Sequence, residues 1–532
     1  MNLKRIYFFV LVFTSTIAAA QIAPVNFKNP VLTGFSPDPS ICRVGEDYYL
    51  VNSSFVWFPA IPVYHSRDLV NWKLIGHGMT RPAQLNLNNV KDKDGIWAVT
   101  IRHHDGLFYL IGTASKSGGN FYMTAKDAAG PWSDPVWLKD APGIDASLLW
   151  DDNGKCYYTG NRFDFDKTWP SQCAIWQQEL DLKKQALIGE RKILTYGYAN
   201  NAASTEGPHV YKVDGKYLLL VAEGGTDYFH AISAHHSNNV FGPYIADKIN
   251  PVLSHRQLGK DYPIQAVGHG DLVQTQNGDW WALVLGKRVG EGDFALTRET
   301  FLCKVKFENG TPIFNAGYGK VLMEQPRPDL PWTPVSPDPE RDEFEDSTLA
   351  LKWHFIRVPK NKWYSLSGGQ LKLKLQPEIA DSLVNPAMIV QKLTGGEFEA
   401  ATKLTFKTEK SNEQAGLVIY RNSDSYYMLL KSNSALMLIR KTGGKKEVIA
   451  TAAYTALEVY LKAIAGHGKL KFSFGASANQ MTMIGEGQDL KVIAESAVNR
   501  FNGPGVGVYV SSNGKTSSSS ATFDWFSYKL MN

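Results

Sequence analysis

The sequence has little cysteine, little net charge and no long apolar run after its first twenty residues. Four cysteines among 532 residues, at positions 42, 156, 173 and 303, are too few and too scattered for a disulfide scaffold or a CxxC metal site. We therefore expect buried thiols with at most one disulfide. The formal charge of +5, with acids and bases interspersed, gives no reason to expect nucleic-acid or anionic-membrane partners. No later segment is long and apolar enough to span a bilayer.

The first twenty residues have the pattern of an export signal. Lys4 and Arg5 precede an apolar run at positions 6–12, and three alanines at positions 18–20 suit cleavage before Gln21. We expect the mature protein to be periplasmic or secreted. An uncleaved anchor is the weaker alternative, because the apolar run is shorter than the roughly 20 residues that a membrane span needs.

An internal repeat organises the first 325 residues. Four copies share an apolar strand, an Asp-Gly or Asn-Gly pair eight and nine positions after the start, and then an aromatic-rich strand; a fifth copy places its glycine differently. These dipeptides are strong hairpin signals between β-rich runs, because both turn residues must tolerate positive φ. The copies start at Asp38, Trp97, Asp145, Glu206 and His269.

The spacing of the copies predicts an all-β fold with two domains. Units of this length fit four-stranded sheets that cannot bury both faces alone, which favours a five-bladed β-propeller over residues 21–325. A pair of sandwiches with chance hairpin spacing is the alternative. Six prolines between positions 326 and 339 indicate a semi-rigid linker over residues 326–340. Alternating β-rich segments over residues 341–532 then predict a β-sandwich.

The repeat also predicts where its starting residues meet. In a propeller the first strand of each sheet lines a central channel, so equivalent positions form a ring at one end. A single aspartate before proline is usually a turn cap. Asp38, Asp145 and Glu206 at equivalent positions, however, would repel and desolvate one another, which costs stability unless a site uses them. The Trp97 indole and the His269 imidazole are expected in the same ring.

Segments around these acids resemble glycoside hydrolase family 43. The resemblance rests on residues 34–50, 95–110, 143–158, 205–212, 268–281 and 298–302. Residues 342–528 resemble the C-terminal concanavalin-like (jelly-roll) sandwich of the family's two-domain β-xylosidases and α-L-arabinofuranosidases. Val99, Ala146 and Thr297 depart from the family's common Pro, Pro and Gly. None of these departures removes an ionisable group, although Thr297 is expected to alter the sugar pocket.

The resemblance implies an inverting hydrolase with three acidic residues in named roles. Asp38 is the general base, Glu206 the general acid, and Asp145 the neighbour that raises the pKa of Glu206 and orients it. Inversion needs the base and the acid about 6.5–9.5 Å apart, so that a water fits beside the sugar. Substrate-binding roles are implied for Phe35, Trp57, Trp97, Arg298 and His269. For the two tryptophans a packing role is the alternative.

The implied chemistry requires no cofactor, but calcium has two candidate positions. Some family members hold a hydrated calcium ion on the channel axis, where His269 is expected, and a neutral histidine satisfied by water is the alternative there. Asp342 and Asp524, at the two ends of the sandwich, are candidate ligands for a structural Ca²⁺. The oligomeric state is not indicated by any sequence feature.

The expected function is exo-acting release of terminal α-L-arabinofuranose from hemicellulose such as arabinoxylan, xyloglucan or oligosaccharides derived from them. β-D-Xylosidase activity, alone or in addition, is the close alternative. Exo action is implied because a sandwich loop closes one side of the propeller mouth in the resembling enzymes. A catalytically dead sugar-binding propeller and a fructan hydrolase are the competing hypotheses; the latter uses a Trp-Met-Asn-Asp-Pro context that this chain lacks.

Overall fold

The computed structural model describes residues 23–290, 296–495 and 501–531, and the expected leader at residues 1–20 lies outside them. In these ranges the regular secondary structure consists of strands and three short 3₁₀ segments, at Pro82–Gln84, Arg256–Leu258 and Leu490–Ile493. None of the helical segments described there has the length or apolar character needed to cross a membrane. The predicted all-β fold class is confirmed.

Five antiparallel sheets occupy residues 40–314, one for each copy of the sequence repeat. The first strands of successive sheets contact one another, and the first strand of the fifth sheet contacts that of the first sheet. The sheets therefore close into a ring, which is the propeller that the repeat predicts. The strands through the third sheet are β1 (Asn26–Lys28), β2 (Ser40–Val44), β3 (Asp47–Val51), β4 (Trp57–Phe58), β5 (Ala60–Ser66), β6 (Lys73–Met79), β7 (Gly95–His104), β8 (Leu107–Ser115), β9 (Gly119–Ala125), β10 (Val136–Trp137), β11 (Ile144–Trp150), β12 (Cys156–Arg162), β13 (Ala174–Asp181) and β14 (Ala186–Thr195).

The fourth and fifth sheets complete the ring, and a short strand after them returns to the chain's first strand. These strands are β15 (Glu206–Val213), β16 (Lys216–Glu223), β17 (Ala231–Ser237), β18 (Ile245–Ala246), β19 (Leu253–Ser254), β20 (Ile264–Gln274), β21 (Trp280–Arg288), β22 (Glu299–Glu308), β23 (Thr311–Phe314) and β24 (Glu324–Pro326). The strand orders are β2-β3-β5-β6, β7-β8-β9-β10, β11-β12-β13-β14, β15-β16-β17-β18 with β19 beside β17, and β20-β21-β22-β23; β1 pairs with β24.

Two hairpin turns of the repeat, those at Asp-Gly pairs, have the backbone that the sequence predicts, whereas at the Asn-Gly pairs only Gly154 and Gly278 have positive φ. Asp105 and Gly106 have φ of 48° and 73°, and Asp214 and Gly215 have φ of 49° and 75°. Two consecutive positive φ values match the right-handed twist of the flanking strands, which is why Asp-Gly is favoured there.

Asp271 lies at the centre of the channel and joins the inner strands of four sheets. Its Oδ2 accepts hydrogen bonds from Ser40 Oγ at 2.6 Å, from the Ile41 amide at 3.0 Å and from Arg102 Nη1 at 2.7 Å. The Tyr211 hydroxyl donates to its Oδ1. Burial alone would raise the pKa of Asp271, but the Arg102 guanidinium and the other donors hold it well below its ordinary value.

Residues 327–340 contain no strand, and a two-sheet sandwich follows them. Its strands are β25 (Arg341–Asp342), β26 (His354–Ile356), β27 (Tyr364–Leu366), β28 (Leu371–Lys374), β29 (Met388–Lys392), β30 (Phe398–Phe406), β31 (Gln414–Asn422), β32 (Ser425–Lys431), β33 (Ala435–Thr442), β34 (Lys445–Ala453), β35 (Glu458–Gly466), β36 (Lys469–Ser477), β37 (Gln480–Met483), β38 (Gln488–Asp489), β39 (Gly505–Ser511) and β40 (Ser520–Leu530). One sheet is β27-β28-β40-β30-β35-β36-β37, with β25 on β40 and β38 on β36; the other is β34-β33-β32-β31-β39-β29-β26-β4. Aliphatic and aromatic side chains of both sheets form the core between them.

The propeller supplies the last strand of one sandwich sheet. In the sequence β4 lies between β3 and β5 of the first propeller sheet, but it pairs with β26 of the sandwich. Next to this pair, the Arg357 amide donates to the Val56 carbonyl at 2.7 Å. The fully buried Arg357 guanidinium also donates to the Val90 carbonyl and to Asp92 Oδ1, at 2.7 and 2.8 Å. Backbone pairing and a buried ion pair therefore join the two domains.

The four cysteines are buried, and all are free thiols. Three of them, Cys42, Cys156 and Cys303, lie in hydrophobic clusters. This agrees with the sequence expectation of buried thiols.

Replacing the central aspartate, Asp271→Asn, should lower the free energy of unfolding by about 3–5 kcal/mol, because Arg102 would stay buried without its anionic partner. Since the folded-state pKa of Asp271 is depressed, its stabilising contribution is present at neutral pH and disappears as the pH falls towards that pKa. Denaturant unfolding at neutral pH measures the loss. Glu46→Gln, which removes an exposed ion pair with Arg67, is the control and should cost less than about 1 kcal/mol. Similar small losses in both variants would contradict the role of Asp271.

Candidate active site

Each copy of the repeat has a left-handed residue at its first position or one position later. φ is 52° at Asp38, 33° at Ala98, 57° at Asp145, 55° at Gly207 and 42° at His269. In the second to fifth sheets the pairing of the first strand with the second is also interrupted there. Such bulges redirect side chains at the end of a strand, and strained φ values at non-glycine residues persist where the surroundings impose them. Here they direct side chains of the five sheets towards one end of the channel.

A cavity of about 310 Å³ opens at this end of the ring. Its lining includes the three predicted acids Asp38, Asp145 and Glu206, and the predicted Trp97, His269 and Arg298. The repeat thus brings together residues that are far apart in the sequence. A second cavity, of about 340 Å³, lies between the domains, but its Glu299 is already paired with Arg288. The cavity with three acids is therefore the candidate active site.

Asp38 is held in its ionised form by two donors. The Ser53 hydroxyl donates to Oδ2 at 2.6 Å, and Arg298 Nη1 donates to Oδ1 at 3.2 Å. Burial alone would raise the pKa of Asp38. The positive charge of Arg298, together with His269 and the Ser53 hydrogen bond, outweighs burial and holds the pKa below its ordinary value.

Asp145 and Glu206 are shifted in the opposite direction. Burial is the largest cause for both, and the negative charge of Asp38 adds to it. The pKa of Asp145 is raised to about 6, although His269 and a 3.1 Å hydrogen bond from the Gly207 amide oppose the shift. The pKa of Glu206 is raised well above its ordinary value, with Asp145 as the strongest neighbouring charge. The cavity can therefore hold an ionised Asp38 and a protonated Glu206 at the same pH.

Arg298 links the propeller side of the cavity to the sandwich. Its Nη2 donates to the Phe501 carbonyl at 2.9 Å, and its guanidinium carbon lies 5.2 Å from the Phe55 ring centroid and 5.7 Å from that of Phe501. Both rings line the cavity. Phe501 precedes β39 in the sandwich, so a sandwich loop closes part of the propeller mouth.

Trp97 and His269 lie where the sequence predicts. Trp97 is partly exposed in the cavity wall, and its indole N–H donates to the Lys93 carbonyl at 3.1 Å. His269 is buried, and its ring packs so close to Gly207 that a Cβ there would lie 3.0 Å from two ring atoms. Together with φ of 55°, this contact explains why glycine follows Glu206.

Phe35 and Trp57 do not line the cavity, which corrects the expectation of sugar contacts for both side chains. Phe35 is 1% exposed and packs against Phe55, with the two ring centroids 5.7 Å apart. Trp57 lies in β4 and packs edge-on against Tyr420 of the sandwich at 6.2 Å. Both side chains stabilise the junction of the domains instead of facing a substrate.

Asp342 and Asp524, the predicted calcium ligands of the sandwich, have protein partners in the structure. Asp342 accepts hydrogen bonds from the Phe344 amide at 2.9 Å and from the Trp353 indole at 2.7 Å. Asp524 accepts from Gln370 and pairs with Lys403, both at 2.8 Å. Among the described residues, no group of three or more His, Cys, Asp and Glu side chains is placed to hold a metal ion. A calcium ion in the sandwich, or on the channel axis near His269, stays a prediction.

Several residues of the site have no counterpart among the sequence predictions, and Ser53, Phe55 and Phe501 show why. Ser53 and Phe55 follow β3, outside the repeated pattern, and Phe501 comes from the other domain. Their proximity to Asp38 results from tertiary packing. The sequence contains no periodicity or spacing that would identify them.

Comparison with known proteins agrees with this geometry. Residues 27–312 match the family model for glycosyl hydrolases family 43, and residues 341–529 match that for the beta xylosidase C-terminal Concanavalin A-like domain. A xylosidase/arabinosidase of Butyrivibrio fibrisolvens is 40% identical over 513 residues, covering 94% of this chain and 98% of the relative. A non-reducing end alpha-L-arabinofuranosidase of Bacteroides ovatus is 37% identical over 529 residues, covering 97% of each chain.

Solved structures share the fold over almost the whole chain. The structure of Bacteroides ovatus xyloglucan PUL GH43B has a TM-score of 0.88 at 36% identity, covering 95% of this chain and 100% of that one. A xylan beta-1,4-xylosidase from Bacillus halodurans also has a TM-score of 0.88, at 34% identity and with coverage of 94% and 100%. With its three acids around one propeller cavity and both domains matched, the chain belongs to glycoside hydrolase family 43.

Proposed function

We propose that this glycoside hydrolase is an exo-acting, inverting α-L-arabinofuranosidase that acts on hemicellulose oligosaccharides. The observation that carries the proposal is the opposite pKa shift of Asp38 and Glu206 in one cavity. An inverting glycosidase needs one carboxylate and one carboxylic acid at the same pH, which is what these shifts provide.

The proposed reaction is a single displacement at the anomeric carbon. Asp38 accepts a proton from a water, whose oxygen forms the new bond to that carbon. Glu206 donates its proton to the glycosidic oxygen as the old bond breaks. Each turnover leaves Asp38 protonated and Glu206 ionised, and proton exchange with solvent restores both. The charge of Asp145 keeps the pKa of Glu206 high, so that the acid is loaded again.

Exo action is supported by the shape of the cavity. Its volume of about 310 Å³ is at the small end of the range for ligand sites, and Phe501 of the sandwich closes part of the mouth. A closed pocket accommodates a chain terminus, whereas an internal segment of a polymer needs an open cleft. Arg298, Trp97 and His269 line this pocket. Their proposed role is to contact the terminal sugar, with Arg298 as a donor to a ring hydroxyl.

The preference for arabinofuranose rests on the relatives. One of 37% identity is named an arabinofuranosidase and one of 40% a xylosidase/arabinosidase, both over nearly the full chain. β-D-Xylosidase activity is the second candidate, because other relatives, including that from Bacillus subtilis at 37% identity, are named beta-xylosidases. The predicted leader makes the periplasm or the cell exterior the proposed location.

A substrate panel tests the sugar preference. The value of kcat/KM for 4-nitrophenyl α-L-arabinofuranoside should exceed that for the β-D-xyloside and the α-L-arabinopyranoside by about tenfold, a difference of 1.4 kcal/mol in transition-state binding. Comparable values for the first two would make the enzyme bifunctional. A higher value for the xyloside would contradict the proposal and favour the second candidate.

Substrates with different leaving groups test the two carboxyl roles. Asp38→Ala and Glu206→Ala should each lower kcat on an arabinoxylo-oligosaccharide by about 10²–10⁴-fold. A nitrophenyl substrate needs little protonation of its leaving oxygen, so it should partly restore turnover by Glu206→Ala but not by Asp38→Ala. The thermal unfolding temperature of each variant checks that its fold is intact. Equal restoration in both variants would show that the roles are assigned wrongly.

A pH profile tests how Asp38 is kept ionised. Ser53→Ala removes a hydrogen bond that lowers the pKa of Asp38, so that pKa should rise. The base is then protonated over more of the acidic range, so the acidic limb of the kcat/KM profile should move to higher pH. The alkaline limb, which reports the ionisation of Glu206, should not move. Ser54→Ala is the control, since that hydroxyl binds the Ile61 amide. An unmoved acidic limb in Ser53→Ala would refute the contribution of Ser53.

A further inference from the structure

Two histidines meet where the propeller contacts the sandwich. His77 lies in β6, the outer strand of the first propeller sheet, and His354 lies in β26 of the sandwich. Their ring centroids are 5.4 Å apart, and the ring planes cross at 81°. His77 is 3% exposed and His354 is 5% exposed, so the contact excludes solvent. We call these two residues the interdomain histidine pair.

The register of the sandwich strands explains why His354 faces the propeller. His354 lies opposite Val390 of β29, and Phe355 lies opposite Ile389. Side chains directly opposite each other in an antiparallel pair point to the same face of the sheet, and neighbours along a strand alternate. Phe355 and Ile389 pack in the sandwich core, whereas Val390 packs with propeller residues. His354 therefore shares the propeller-facing side of the sheet with Val390.

Close packing holds β6 on the other side of the contact. His77 has a glycine on each side, at positions 76 and 78. A Cβ at Gly76 would lie 2.5 Å from the Ala129 carbonyl oxygen, which follows β9. A Cβ at Gly78 would lie 2.8 Å from Leu110 Cδ1 in β8. The strand is thus packed tightly against the second propeller sheet, and His77 is enclosed between that sheet and the sandwich.

The polar groups around the pair leave the His77 ring unpaired. Neither of its nitrogens has a hydrogen-bond partner among the residues that the structure describes. His354 Nδ1 donates to the Lys352 carbonyl at 3.0 Å. Lys392, on β29, donates from Nζ to the Tyr64 hydroxyl of β5 at 3.3 Å. The charge of this lysine acts on both rings.

These surroundings keep both imidazoles neutral. Burial, followed by the positive charge of Lys392, lowers the pKa of His77 to about 3. Burial is also the main reason why the pKa of His354 lies well below its ordinary value, with His77 and Lys392 adding to the shift and the Lys352 carbonyl opposing it. A proton on either ring would place a second positive charge beside Lys392 in a site shielded from water.

From this geometry we propose that the interdomain histidine pair is an acid-sensitive contact. It holds the sandwich on the propeller while both rings are neutral, and it weakens that hold when either ring is protonated. Separation of the two surfaces would return the charged ring to water. Because the sandwich supplies Phe501 to the cavity, separation would also remove one wall of the active site. The inference does not depend on which sugar the enzyme releases.

The depressed pKa values set the direction of the pH effect. The pKa of His77 is about 3 when the domains are in contact, whereas that of an exposed imidazole is about 6.5. The contact is therefore favoured at neutral pH, and its advantage declines as the pH falls below about 6.5. Between these two values, each histidine that is protonated on separation shifts the equilibrium about tenfold per pH unit.

Hydrogen exchange measured by mass spectrometry tests the proposal at about pH 7 and about pH 4.5, with rates corrected for the intrinsic effect of pH. Reporter peptides cover β4 and β26, whose pairing joins the domains. Reference peptides cover β31 and β39, which pair within the sandwich. In the wild-type protein the protection of the reporter peptides should fall about 10²-fold or more at the acidic pH, relative to the reference peptides.

Replacing the rings identifies the groups that respond. His77→Phe keeps an aromatic ring at the contact but cannot bind a proton, so the acid-induced fall should be smaller by about tenfold or more. With His354→Phe added, the fall should vanish. His235→Phe is the matched control, because His235 is also buried and has a lowered pKa but lies in the fourth propeller sheet. It should keep the wild-type fall.

Three results would overturn the proposal. The first is unchanged protection of β4 and β26 in the wild-type protein at the acidic pH. The second is an equal loss in the reference peptides, which would indicate acid unfolding of the whole sandwich. The third is a wild-type fall in the double variant, because another group would then control the separation. The first two need only the wild-type protein, so they decide the proposal even if a variant does not fold.

Discussion

The main physical constraint on this protein comes from three carboxyl groups around one cavity, two of them buried and the third, Glu206, half-buried. Arg298 and Ser53 both bind Asp38, so the negative charge is stabilised there. Asp145, which is buried, and Glu206, which is half-buried, lie beside that charge, and ionising either of them becomes less favourable. The unequal distribution of donors therefore favours the ionised form of Asp38 and the protonated form of the other two carboxyl groups. The proposed chemistry depends on this division.

The scaffold has to hold these repelling groups together, and several features of the fold contribute. Bulged strand ends with left-handed residues direct the side chains inward, and Asp271 ties four inner strands together beneath them. The sandwich is fixed to the propeller by β4 and by the buried Arg357, and it supplies Phe501 to the cavity. The second domain is thus a wall of the active site as well as a separate sandwich.

The sequence predicts the part of the site that local patterns determine. A hairpin repeat is local, so it indicated the sheets and the convergence of Asp38, Asp145 and Glu206. The left-handed residue lies one position later than the predicted start in two sheets, at Ala98 and Gly207, because a bulge has no simple sequence signal. Contacts between domains leave no local pattern either. That is why Phe501 was missed and why Trp57 was expected to contact sugar, although it packs on the sandwich.

The most direct test of the central claim is difference infrared spectroscopy of the carboxyl groups at neutral pH, because it observes the proton itself. The account predicts a band of a protonated carboxylic acid in the wild-type protein that disappears in Glu206→Gln and remains in Asp38→Asn. If the band disappears in Asp38→Asn instead, or if neither substitution removes one, the division into an ionised base and a protonated acid is contradicted.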